Sequence, residues 1–201
     1  MLAGDPALDF ANTFHWREGQ QADFIGDYRS LVEWSVPAGL LTLTEVTALL
    51  AASQSASVAA EIIHAEAIAL RTSWRKYLLN RTRPAAAANS EDGLARLLAE
   101  RLAKALTNPT LLINGLKTTD VAPANLMSLP LARIALSIAS LQLIPVERRI
   151  GRCEGDPCGG FFLDNSRSKP RRWCSMDTCG NRAKVRGFRS RMQAEEVSAK
   201  G

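Results

Sequence analysis

The chain has few of the parts from which active sites are built. There are two histidines among 201 residues, His15 and His64, far apart in the sequence, and no cysteine before residue 153. No G-x-S-x-G elbow, phosphate loop or dinucleotide fingerprint occurs anywhere. A lone histidine on a helix is ordinarily structural, and no thiol is left over as a nucleophile, so the expectation is a protein that is not an enzyme. No apolar run reaches the roughly 18 residues of a membrane span. The opening "MLAGDPALDFANTF" lacks a basic start followed by an apolar stretch, so no export signal is read and a cytoplasmic protein without a membrane partner is expected. Internal repeats are absent too, and the alanine run at 85–88 is too short to count as low complexity.

What is present is apolar and helical first, basic and cysteine-rich afterwards. Hydrophobic residues make up 46% and charged residues 22%, the balance of a globular protein with material for a sizeable core. The net charge of +5 is unevenly spread: residues 1–147 sum to −2, residues 148–192 to +8 and the last nine to −1. An excess confined to one block argues for an anionic partner better than the whole-chain charge does. The composition changes abruptly after Pro145. The expected organisation is therefore a helical domain over 1–147, a small module over 148–195 and a tail over 196–201.

Within the first part, "PALDFANTFHW" predicts a short amphipathic helix and "FIGDYRSLVEWSVPAGLLT" a second that ends near Pro37 and Gly39. "TLTEVTALLAA" offers Thr42 or Thr44 as a cap, with Glu45 in the first turn. From Ser57 to Asn80 the residues Val58, Ile62, Ile63, Leu70, Trp74, Tyr77 and Leu78 mostly recur at helical spacing, the strongest periodicity in the chain. Ser90 predicts the cap of a helix with Leu94, Leu97, Leu98, Leu102 and Leu106 on one face. Asn114-Gly115, among strand-forming residues, predicts a short β-hairpin. "LPLARIALSIASLQLIP" returns to helix and stops at Pro145.

Cys153, Cys158, Cys174 and Cys179 form two C-x4-C pairs separated by fifteen residues. In a reducing compartment such pairs are not expected to be structural disulfides. Two close pairs joined by a loop are the usual way to bring four thiolates around Zn²⁺ at about 2.3 Å. Two disulfides, four buried thiols or an iron–sulfur cluster are the weaker alternatives. Glycine follows the second cysteine of each pair, at Gly159 and Gly180, where it permits a tight turn that aims N–H groups at sulfur. Four thiolates close the coordination sphere, so a single zinc per chain is expected to be structural. A module with so few large apolar residues needs that stability, and loss of any ligand should unfold it.

"DNSRSKPRRWCSMDTCGNRAKVRGFRSR" resembles the zinc finger named for its CGNR motif, which in a bacterial family follows a helical ABATE domain. "LDFANT" is similar to the opening of that domain, as is the "LVEW…AGLL" stretch. Gly160 departs from the pattern, which has a bulky aromatic after the cysteine–glycine pair. The resemblance implies a mainly α protein and a transcription regulator, in some descriptions RNA-binding.

The small C-terminal module is expected to be zinc-ribbon-like and to end in a helix after Cys179, on which Val185, Phe188 and Met192 form an apolar stripe suited to docking on the ribbon. Gly187 weakens that helix by about 1 kcal/mol relative to alanine. Arg182, Arg186 and Arg189 form a cationic ridge on another face, with Lys184 and Arg191 beside it, and Arg171 and Arg172 precede the third cysteine. Such residues suit phosphate contacts, and Trp173 offers either a stacking surface or a core residue. With four thiolates and one zinc included, the basic block still carries +6. Nucleic acid is the expected partner, DNA ahead of RNA on the strength of the resemblance; an acidic protein partner is the alternative. In the helical domain Asp9, Asn12 and Trp16 share one side of the first helix, and with Arg71 on the long helix they are candidates to hold a small ligand. Capping or bridging roles are the competing explanation. Nothing marks a dimer seam, so the oligomeric state stays open.

Overall fold

Asp5 and Pro6 start the first helix: the Asp5 carboxylate accepts from the Ala7 N–H at 2.9 Å, and proline in the first turn sacrifices no hydrogen bond. The computed structural model describes residues 3–17, 20–82, 91–106, 123–143, 149–166 and 170–198. Helix α1 (Pro6–Asn12) stops earlier than its sequence suggests, because other groups take its last carbonyls. Thr13 Oγ1 donates to Phe10 O at 2.8 Å, Arg75 donates to Ala11 O, and His15 Nδ1 lies 2.6 Å from Asn12 O. The β-branched and aromatic run that follows enters a hairpin instead, β1 (Phe14–Arg17) antiparallel to β2 (Gln20–Asp23), with Phe14 opposite Asp23.

Helix α2 (Tyr28–Ser35) begins with a reciprocal Asp27/Ser30 capping box and ends before Gly39, whose φ of +72° favours glycine. Helix α3 (Leu43–Ser55) is capped by Thr42 with Glu45, as the sequence suggests. Glu45 also holds Arg133 at 2.7 and 2.9 Å. At Ala56 the chain bends by 120° into α4 (Ser57–Arg81). The buried face of α4 is Ala60, Ala67, Leu70, Arg71, Trp74 and Leu78, whereas Val58 and Ile62 are exposed. Helices α5 (Glu91–Leu106), α6 (Pro123–Met127) and α7 (Leu129–Leu143) complete the helical part. Ser90, the Asn114-Gly115 hairpin signal and Pro145 lie outside the described residues. Among the described residues no single helix is long and apolar enough to cross a membrane.

The main core gathers Leu8, Phe10, Leu31, Leu70, Trp74, Leu78, Ile134 and Ile138 from α1, α2, α4 and α7. Trp74 is fully buried, and its indole N–H donates to Ala7 O at 2.8 Å. A second cluster packs Tyr28, Val32, Leu49 and Met127. The fold is thus mainly α, as expected, and among the described residues the helical part holds one short hairpin, β1 with β2.

The cysteine-bearing segment opens with β3 (Arg149–Arg152) antiparallel to β4 (Phe161–Asp164). Gly151 faces Phe162, where a Cβ would come within 2.5 Å of the ring. The segment closes with a π-helical turn over Met176–Gly180 and helix α8 (Asn181–Ser198). Phe161 and Leu163 of β4 belong to the main core of the helical domain and Ile150 of β3 packs against it, so the ribbon is anchored there chiefly by β4.

Candidate metal centre

Each cysteine pair is presented by a turn that the local sequence shapes. Cys153 leaves β3 and Cys158 precedes β4; between them Cys153 N–H donates to Gly160 O at 2.7 Å and Cys158 N–H to Gly155 O at 2.6 Å. Gly159 adopts φ +61° to turn the chain back into β4. In the second pair Cys174 precedes the π-helical turn and Cys179 lies buried within it, and Ser175 Oγ accepts from Thr178 N–H at 3.3 Å. Glu154 N–H donates to Arg172 O at 2.8 Å and ties the two turns together.

The four sulfurs lie within 4.8 Å of one another. Cys158 and Cys174 are 3.8 Å apart, Cys174 and Cys179 3.7 Å. A regular tetrahedron of sulfurs around an ion at ~2.3 Å has edges of about 3.8 Å, so the residues present fit a tetrahedral thiolate-bound metal. Hydrogen bonding from the Cys158 thiol draws Cys153 far below an ordinary thiol, and its sulfur in turn pushes Cys158 up to about 11. Cys174 is raised further still, again first through Cys153. A thiolate at Cys153 thus raises the cost of a second charge at Cys158 and Cys174.

Two groups beyond the sulfurs complete the surroundings. Gly155 N–H points at Cys153 Sγ from 3.4 Å, and Arg182 Nη2 at Cys179 Sγ from 3.3 Å. That hydrogen bond holds Arg182 above the usual guanidinium range. The glycines expected to aim N–H groups at sulfur act otherwise: Gly159 N–H approaches Gly155 O, and Gly180 N–H donates to Ser175 O. At Gly180 a Cβ would come within 2.8 Å of Met176 Sδ, the far end of a flexible, half-exposed side chain that can move aside. Gly160, the position that departs from the aromatic pattern, sits under α1; a Cβ there would meet Asn12 Oδ1 at 3.3 Å. Trp173 packs half-buried against the cysteine cluster and is a core residue of the module.

The basic residues divide into two sets. Arg171 donates to Cys174 O at 2.6 Å and lies over the Phe162 ring. Arg172 pairs with Glu154 at 2.6 Å, and Arg186 with Asp156 at 2.9 Å. With Arg182 turned to Cys179, these four are engaged within the module. Lys184, Arg189 and Arg191 are exposed and make no ion pair or hydrogen bond among the described residues. The apolar stripe of α8 does not dock on the ribbon. Ala183, Arg186, Gly187 and Ser190, at i, i+3, i+4 and i+7, line the cleft against Glu154, Gly155 and Asp156. Val185, Phe188 and Met192 point away and are 50%, 58% and 45% exposed. The arginine–carboxylate pair at Asp156 and the small Gly187 set that orientation, neither of which periodicity reveals.

The three ligand candidates of the helical domain also separate. Asp9 accepts from Ala3 N–H at 3.2 Å, and Asn12 bonds the backbone of Phe161. Both line a cavity of about 180 Å³ at the seam, together with His15, Phe24, Trp34, Cys158 and Cys174. Arg71 is elsewhere: it is 4% exposed, holds Asp23 with two bonds of 2.7 Å, and reaches Thr13 Oγ1 at 3.0 Å. The side chain of Trp16 lies outside the described residues.

Fold and centre define a two-part class: a helical domain that takes one strand of a four-cysteine ribbon into its core, and a basic helix leaving the last cysteine. The chain belongs to the ABATE family, described as a "putative stress-induced transcription regulator", whose model matches residues 4–143. Residues 149–192 match the CGNR zinc finger. No curated protein and no solved structure matches the chain.

Proposed function

We propose that the protein is a non-enzymatic transcription regulator that binds nucleic acid, DNA ahead of RNA, through the outer face of α8. The observation that carries this reading is the trio Lys184, Arg189 and Arg191, exposed on a helix that starts just after the last cysteine and without ion-pair or hydrogen-bond partners among the described residues. The ion is zinc, one per chain, held by Cys153, Cys158, Cys174 and Cys179. When bound it supplies structural cross-linking and charge neutralisation, and no open position for chemistry. Arg182 then faces a thiolate, and Arg186 fixes α8 to the Asp156 turn, so both position the helix rather than the polyanion. The outer cations are thereby held at fixed spacing, as phosphate recognition requires.

The test is a salt series. Metal-loaded protein titrated into labelled DNA loses affinity steeply with salt, and the Lys184→Ala/Arg189→Ala/Arg191→Ala variant loses affinity and lowers the slope by about 3, one for each phosphate contact removed. An unchanged slope rejects α8 as the contact surface.

The seam cavity supports the second part of the reading, a small-ligand sensor. Its wall is shared by Asp9 and Asn12 of α1 and by Cys158 and Cys174 of the metal centre, so an occupant touches both parts at once. A compound that raises the melting temperature of the wild type, and does so no longer in Asp9→Ala, supports it; equal shifts in both proteins count against it.

A further inference from the structure

The outer face of α8 has an arrangement that phosphate binding alone does not use. Val185, Phe188 and Met192 run down its centre, and all are about half exposed. In helical projection Lys184 and Arg191 fall on one side of this stripe and Arg189 on the other. An apolar ridge left in water has a cost, and nothing among the described residues covers it. The bracket of cations states what could: a concave surface with apolar contacts at its floor and negative charge along both walls.

We infer that α8 enters the major groove of duplex DNA and that Phe188, with Val185 and Met192, packs against thymine 5-methyl groups. This rests on the nucleic-acid reading above and names its substrate. A helix with its side chains is about 10–12 Å wide and the major groove about 12 Å, so the outer face reaches the floor while cations on both flanks reach opposite phosphate walls. On that floor thymine presents the one methyl group among the four bases, and an apolar side chain reads it. The stripe offers no hydrogen-bonding group to guanine or cytosine at these three positions. Duplex RNA fits poorly, because its major groove is too deep and narrow for a helix and uracil lacks the methyl.

The experiment uses the full-length, metal-loaded protein and three short duplexes: alternating d(A-T), the same duplex with deoxyuridine in place of thymidine, and alternating d(G-C). The expected result is tighter binding to d(A-T) than to d(A-U) by about 4-fold for each methyl contacted, the factor given by one buried methylene-sized group. Phe188→Ala should reduce that preference while keeping its metal and its salt slope; Phe188→Leu should keep most of it. Since Phe188 is exposed, neither variant is expected to disturb the fold. Equal, salt-dependent binding to d(A-T) and d(A-U) overturns this inference and leaves the nucleic-acid reading standing. Absence of salt-dependent binding to any polynucleotide, with or without capture of an acidic protein, overturns both.

Discussion

Asn12 and Phe161, 149 residues apart, are bonded to each other twice. The Asn12 amide donates to Phe161 O at 2.7 Å, and its carbonyl accepts from Phe161 N–H at 2.8 Å. A side chain of α1 thus completes the backbone of β4 as a neighbouring strand would. Phe161 is fully buried, and its groups have no water to turn to.

Asn12→Ala therefore leaves two buried backbone groups unsatisfied and should cost about 2–4 kcal/mol. Asn12→Asp keeps an acceptor but no donor and should fall in between. Urea denaturation of the metal-loaded protein measures both. Because the strand that follows Cys158 is held by this tie, chelator should also strip metal faster from Asn12→Ala.

Gly160 and Asn12 share one space. Gly160→Phe, which restores the aromatic that the CGNR pattern leads one to expect, should destabilise this chain by about 1–3 kcal/mol, since even a Cβ would sit 3.3 Å from Asn12 Oδ1. Combined with Asn12→Gly the penalty should shrink, and a double-mutant cycle reads the coupling. Additive costs would show that the two positions are independent.

How much was legible in the sequence follows from the range of each interaction. The cap at Thr42 with Glu45, the stop near Gly39 and the convergence of the four cysteines are local or strictly spaced, and all are found as expected. What was hidden depends on distant partners. The hairpin at Phe14–Asp23 replaces a helical run because Arg75 and His15 take up the end of α1. The bond pair of Asn12, the Arg71–Asp23 pair and the inward turn of Arg172 and Arg186 require residues tens of positions away. Basic residues near a four-thiolate site, with Glu154 and Asp156 between the first two ligands, give one usable hint: acidic residues inside a cysteine knuckle neutralise arginines nearby.

Arg71 and Asp23 make the chain sensitive to acid. The Arg71 hydrogen bond holds the Asp23 carboxyl below its ordinary value of 3.8. A carboxyl with a depressed folded pKa adds stability above the unfolded value and loses it as pH falls through the folded one, so melting temperature should drop below about pH 4. Asp23→Asn should flatten part of that drop. It should also lower stability at neutral pH by about 2–3 kcal/mol, less than for a fully buried pair because Asp23 is partly exposed.

Trp74 joins the helices around α1. It is fully buried, and its N–H satisfies Ala7 O. Trp74→Ala should cost about 3–5 kcal/mol by calorimetry, and Trp74→Phe less, mainly the lost hydrogen bond and the smaller ring.

Cys→Ser at any one ligand should remove the metal and collapse the α8 platform while the helical domain keeps most of its circular dichroism. X-ray absorption on freshly purified protein, paired with elemental analysis, tests the central claim most directly. The account predicts one zinc per chain with four sulfurs at about 2.3 Å. Metal-free protein in which the 149–198 segment remains ordered, or a zinc with nitrogen or oxygen in its inner sphere, would contradict it.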